Sequence, residues 1–112
     1  MVLTDLSNQL VHCAIYDVPG TVLGLPANVD KVAMPTAVPG AKQTQAYNGS
    51  FGYAGPCPQT KHTYQFKVYA LSTATLSGVM SGMTGKDSVV TAASASNLGT
   101  ATLTATFDPA NP

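Results

Sequence analysis

The stretch HTYQFKVYAL, residues 62–71, constrains this chain more than any other. Its side chains alternate without a break. His62, Tyr64, Phe66, Val68 and Ala70 fall on one side, and Thr63, Gln65, Lys67, Tyr69 and Leu71 on the other, the period of an extended strand. Apolar residues stand on both sides, which marks a central strand. The rest of the chain has to supply its neighbours.

Three further stretches qualify as neighbours. MVLTD (1–5) is strand-like from its first residue. LVHCAIYD (10–17) is an apolar run of strand length closed by the turn signal Val18-Pro19-Gly20-Thr21, and TATLTATF (100–107) again has period two. Helical signals are confined to the C-terminal third. Residues 77–83 allow a helical turn, and a helix is predicted at about 87–96, with Asp87 as its cap and Asn97-Leu98-Gly99 as its stop. Between 22 and 59 periodicity is lost in Pro, Gly, Asn and Gln. A segment of that length inside a compact domain is expected to be an ordered loop with short strand pieces, around 41–45. The sum is a mostly-β chain, an antiparallel sandwich or partly open barrel with one or two short helices near the C-terminus.

At 112 residues the chain forms a single domain, 1–112, long enough for a core without staples. Only 9% of residues are charged, against about 25% in a typical domain. All the bases are lysines, all the acids aspartates, and the net charge is zero. Scattered lysines give no electrostatic footprint for nucleic acid. No apolar run approaches the ~20 residues of a membrane span, and no signal-peptide pattern is visible. The Thr/Ser/Ala-rich, charge-poor surface favours a secreted or periplasmic setting over a cytoplasmic one. Cys13 and Cys57 are too few for a disulfide framework or a zinc site; Cys13 reads as a buried thiol and Cys57 as a turn residue.

The groups able to do chemistry gather around two strands. Strict alternation through 10–17 places His12 with Ala14 and Tyr16 and turns Cys13 to the opposite face. His62 opens the central strand with Tyr64 on its own face. If these strands are neighbours, His12, His62 and Tyr64 converge at one end of the sheet, and Asp5 joins them from the end of the first strand. A carboxylate beside two imidazoles favours their charged form, which welcomes an anion although the protein is neutral. Just ahead of His62 lies Gly55-Pro56-Cys57-Pro58. Its prolines fix φ and donate nothing, so the amides of Gly55, Cys57 and Gln59 are the donors a rigid turn would hold around a phosphate or carboxylate. Each feature also has a plainer reading: a histidine at a strand end is more often structural, the turn is a turn, and Asp5 caps a local loop. The functional reading rests on their joint presence. A Cys57–His62 nucleophile and a metal site from Asp5, His12 and His62 use the same atoms. The first must reach across a proline-locked turn, and the second lacks the close ligand spacing of a specific motif.

These same stretches carry a resemblance. VLTD with Asp5, VHCAIYDVPG (11–20), GYAGPCP (52–58) and HTYQFKVYAL resemble, in order, the bacterial branch of the phosphatidylethanolamine-binding protein family, also called Raf-kinase-inhibitor-like proteins. That branch has an Asp-bearing strand end, a His-aromatic strand ending in Ile-Pro, a GYGGPCPP turn and an H-x-Y-x-F-x-x-Y-A-L strand. The resemblance covers nearly the whole chain. It implies an antiparallel β-sandwich with a small anion pocket, whose residues carry over to Asp5, His12, Gly55, Pro56, Cys57, His62 and Tyr64. It implies binding of phosphoryl head groups or small anions, regulation of kinases or other protein partners in some members, no enzymatic activity, and no cofactor or metal.

The departures shape the expectations. The family's Asp-Pro-Asp-Ala-Pro segment is reduced to Asp5-Leu6-Ser7, which shortens one pocket wall. The aromatic often found near His12 is replaced by Leu10 and Cys13. The Arg-Asn-Asp-Phe-Gly type stretch reads Gln45-Ala46-Tyr47-Asn48-Gly49, with the charged residue lost. The family normally has several strands ahead of VLTD. Without them, sheet edges and apolar surface are expected to lie open and to invite pairing with another copy, unless the chain is a piece of a longer product. Two functions follow: an anion-binding module with affinity weakening above about pH 7, as an ordinary imidazole loses its proton near 6.5, or a protein-interaction or inhibitory module built on the 25–59 loop.

Overall fold

A computed structural model describes all residues, 1–112. HTYQFKVYAL forms one long strand inside a five-stranded antiparallel sheet. The strands are β1 (Val2–Asp5), β2 (Leu10–Tyr16), β3 (Lys42–Gln43), β4 (His62–Leu71) and β5 (Asn97–Phe107), in the spatial order β3-β2-β1-β4-β5. A 3-10 turn at Gly82–Thr84 leads into helix α1 (Gly85–Ala95). The fold is mostly β and antiparallel, with its short helices in the C-terminal third. Its strands make one sheet, and the layers that cover it are not strands.

One face is covered by α1. Val2, Ala14 and Val89 are buried together there, with Val11, Tyr16, Tyr69 and Leu76 packed around them. The other face is covered by the irregular chain between β2 and β4. Leu3, Cys13, Ala46, Ala54 and Tyr64 form one cluster beneath it, and Ile15, Val38 and Ala41 form a second.

The long segment holds its shape through polar side chains that bond its backbone, because it has little ladder of its own. The Asp30 carboxylate accepts from the amides of Thr36 and Ala37 at 3.0 and 3.2 Å. The Gln43 amide donates to the carbonyls of Asp30 and Val32 at 2.7 and 2.9 Å. Gly52 closes against Gln43 with φ +80°, and a Cβ at that position would lie 2.9 Å from Gln43 Oε1, so glycine is required twice over. Buried Asp17 ties the far end, accepting from Lys42 Nζ at 3.0 Å and from the Leu76 amide at 2.8 Å.

Three local expectations are corrected. The helix starts at Gly85, and Asp87 makes no capping bond; its carboxylate sits 3.2 Å from Lys86 Nζ in the first turn. The start is set by a close approach instead, since a Cβ on Gly85 would fall 2.5 Å from the Met80 carbonyl oxygen. Asn97-Leu98-Gly99 does not stop the helix as a loop. These residues already belong to β5, with Asn97 opposite Leu71 and Gly99 opposite Ala70.

The third correction decides the site. Regular alternation would set His12 and Cys13 on opposite faces. Leu3 pairs with Cys13, but Thr4 pairs with Val11, so His12 is the extra residue of a β-bulge. The bulge turns His12 to the Cys13 side, while Val11 and Ala14 stay on the helix side.

Candidate functional site

Asp5 is the centre of the group. It ends β1 directly opposite Tyr64 of β4, and it is only 2% exposed. A buried carboxylate must be met by donors or it costs several kcal/mol. His62 Nδ1 donates to Asp5 Oδ2 at 2.6 Å, and the Ser7 amide donates to Oδ1 at 2.9 Å. Burial pushes the Asp5 carboxyl up, but the His62 bond, the Ser7 amide, the imidazole charge and the Tyr64 hydroxyl outweigh it and hold the carboxyl below its usual range. Asp5 thus accepts from a local backbone amide and from an imidazole 57 residues away.

His62 is oriented by that bond. With Nδ1–H committed to Asp5, its Nε2 is left for another partner, and its side chain is 21% exposed. Tyr64 lies beside it, with ring centroids 6.4 Å apart at an interplanar angle of 29°. Burial and the neighbouring Asp5 charge push the Tyr64 phenol up to about 12, so it stays a neutral hydroxyl.

His12 belongs to the same cluster but does a different job. It is 3% exposed, and its Nδ1 donates to the Ala54 carbonyl at 3.1 Å. Its ring packs on Tyr47 at 4.3 Å and edge-on against Tyr64 at 5.3 Å. The bulge thus uses His12 to pin the residue just before Gly55-Pro56-Cys57-Pro58. The turn expected at Gly55–Pro58 is not formed: the segment is irregular chain with neither turn nor bend, because two prolines keep it extended, and the amides of Gly55, Cys57 and Gln59 donate to no protein group.

The structure therefore brings Asp5, His12, His62 and Tyr64 to one face at one end of the sheet, with the Gly55–Pro58 segment tied to them. Cys57 is exposed and Cys13 buried, both as free thiols. Burial raises the Cys13 thiol above its ordinary value. No group of three metal-ligating side chains forms. Two apolar hollows are lined by neither Asp5 nor His62. One opens between Leu3, Ile15, Leu25 and Phe66, the other between Tyr16, Val22, Leu71 and Leu76.

Sequence reasoning missed three contributors. The Ser7 amide donates to Asp5, and the Ser7 hydroxyl oxygen accepts from the Thr63 amide at 3.0 Å, locking β1 to the start of β4. Tyr47 supplies the aromatic wall of His12, from the stretch read as a departure from the family pattern. Ala54 acts through its carbonyl, which no side-chain pattern signals.

Comparison with known proteins bears on the chain's family. A curated "UPF0098 protein" from Aquifex aeolicus (strain VF5) is 39% identical over 79 residues, covering 68% of this chain and 44% of that protein. Another from Methanothermobacter thermautotrophicus is 38% identical over 71 residues, covering 60% of this chain and 44% of that protein. The chain thus matches less than half the length of these curated relatives. No solved structure matches significantly. A sequence profile described as phosphatidylethanolamine-binding protein matches residues 3–108, nearly the whole chain. This chain belongs to the phosphatidylethanolamine-binding protein family.

Proposed function

We propose that this chain is a non-enzymatic binding module whose site takes a phosphate-like group, free or on a phospholipid head group. The observation that carries the reading is the 2.6 Å bond between buried Asp5 and half-buried His62. It fixes the imidazole so that Nε2 faces away from the carboxylate and can donate to an anion when protonated. The uncommitted amides of Gly55, Cys57 and Gln59 supply neutral donors held at fixed φ by Pro56 and Pro58. Tyr64 adds a hydroxyl that does not ionise in the working pH range. His12 holds the segment. Under this reading Cys57 contributes its backbone amide, and its exposed thiol makes no hydrogen bond to His62.

The test is an NMR titration of the folded chain with inorganic phosphate and with phosphoethanolamine, at pH 6 and pH 8. It follows the His62 ring and the amides of 55–59. Saturable shifts confined to those groups, tighter at pH 6 and lost in His62→Ala, are expected. Tighter binding of phosphoethanolamine than of phosphate identifies a head-group ligand. A folded chain with no shift at either pH sinks the reading.

A second reading is favoured by one observation. The segment after β2 exposes Leu23 at 99%, together with Leu25, Val32 and Met34. An exposed apolar series on a loop ordered by Asp30 and Gln43 suits a protein-interaction or inhibitory module. Under that reading, Met34→Ser weakens partner binding and His62→Ala leaves it intact.

A further inference from the structure

The outer edge of β5 has no neighbour in the sheet, although β5 is one of its two longest strands. Native sheets usually blunt such an edge with lysine, proline or a covering element. Here residues 88–107 contain no charged residue and no proline. All of β5 except Phe107 is exposed, with Leu103 at 68%.

The direction of its backbone groups follows from the ladder. The Thr63 carbonyl accepts from the Leu6 amide at 2.8 Å, and the Thr63 amide donates to Ser7, so the Thr63 backbone faces β1. Alternation then turns Tyr64, Phe66 and Val68 toward β5, where they pair with Ala105, Leu103 and Ala101. Thr100, Thr102, Thr104 and Thr106 are left with their N–H and C=O groups pointing out of the sheet.

The sequence of this edge is a palindrome: Thr-Ala-Thr-Leu-Thr-Ala-Thr, residues 100–106, centred on Leu103. A two-fold antiparallel pairing requires that residue i meet j while j meets i. This segment meets that condition with like chemistry at every position. We propose that β5 pairs with β5 of a second copy of this chain, antiparallel and centred on Leu103. Thr102 meets Thr104 of the other copy and Thr100 meets its Thr106, each pair exchanging both backbone bonds. Leu103 meets Leu103 as the non-hydrogen-bonded pair, where side chains come closest. Small Ala101 and Ala105 flank the leucines and leave them room.

Electrostatics and area agree with this occupant. An uncharged edge meets no like charge on its own copy. Leu103, Val68 and the Tyr53–Phe66 stack form an apolar band on the same face, and pairing continues that band across the axis. One strand pair with its flanking side chains buries an area at or below the low end of roughly 1,200 Å² for stable interfaces. The dimer is therefore weak and concentration-dependent. Its axis runs perpendicular to the sheet, so both His62 sites lie on one face.

Sedimentation velocity across a concentration series tests the pairing, with Cys57→Ser as background so that the exposed thiol does not cross-link. The average mass is expected to rise from one chain toward two, and to stay at one chain in Leu103→Lys and in Thr104→Pro. Leu103 is exposed in the single chain, and the Thr104 N–H points outward, so both variants retain the fold by circular dichroism. Register is read by oxidation: Leu103→Cys cross-links to itself, whereas Ala101→Cys does so far more slowly, because its partner is Ala105. A single chain at every concentration overturns the proposal. So does a dimer that survives both variants, or one in which Ala101→Cys cross-links as fast as Leu103→Cys.

Discussion

Asp5 is a carboxylate 2% exposed in a chain with few charges, and its stability effects follow from its partners. Removing it deletes the bonds from His62 and Ser7 and opens the joint between β1 and β4. Asp5→Ala is expected to destabilise by ~1.5–3 kcal/mol, the range for hydrogen bonds to a charged group, measured by urea unfolding at pH 7. The pH dependence has a definite sign. The folded-state carboxyl is held below its usual range, while the unfolded chain titrates near 3.9. The folded state therefore binds fewer protons. The contribution is fully present above about pH 4 and is lost as pH falls through the depressed folded value. Urea midpoints are expected to fall more steeply below pH 4 in the parent than in Asp5→Ala. His12 separates a positioning role from a binding one. His12→Ala should loosen the Ala54 attachment and weaken phosphate binding without removing the exposed donor, whereas His62→Ala removes the donor itself. Amide shifts at 55–59 in the free protein distinguish them, being displaced by the first change far more than by the second.

At the scale of elements, the bulge in β2 and the tight corner at Gly52 govern how the irregular chain meets the sheet. Gly52→Ala forces a left-handed φ on a residue with a Cβ and drives that Cβ into Gln43. A loss of at least ~1–3 kcal/mol is expected, the usual cost of such backbone strain, read as a lowered urea midpoint. The bulge was hidden by its own composition. Val11, Cys13, Ala14 and Ile15 are all apolar, so a one-residue phase slip leaves no mark on the pattern. β4 was legible because polar and apolar residues alternate along it. β5 was legible in type but not in extent, since Asn97-Leu98-Gly99 is equally good as a turn until Leu71 and Ala70 are found opposite it. The helix was found within two residues of its ends, but its start rests on Gly85 against Met80, a contact between segments.

For the whole molecule, the sheet is covered unequally. β1 and β2 are covered on both faces, while the far end of β4 and nearly all of β5 stay open. Leu3→Ala, in the covered part, is expected to cost ~2–5 kcal/mol because a buried leucine leaves a cavity behind; thermal or urea unfolding checks it. Leu103→Ala, in the open part, should leave the stability of the single chain almost unchanged and act only on association. That contrast is a property of where each leucine sits, since the two are chemically identical.

The amino-acid sequence by itself determined the strands with a clear period, the family, and the candidate residues Asp5, His12, His62 and Tyr64. These depend on residue type and local spacing. Only the tertiary structure decided that His12 would be buried as the anchor of Ala54 while His62 stayed partly open, because a one-residue slip in the pairing of β1 with β2 sets which way His12 points. It alone decided that Ser7, Tyr47 and Ala54 would complete the site, since backbone groups and distant rings meet there only after the irregular chain folds over the sheet.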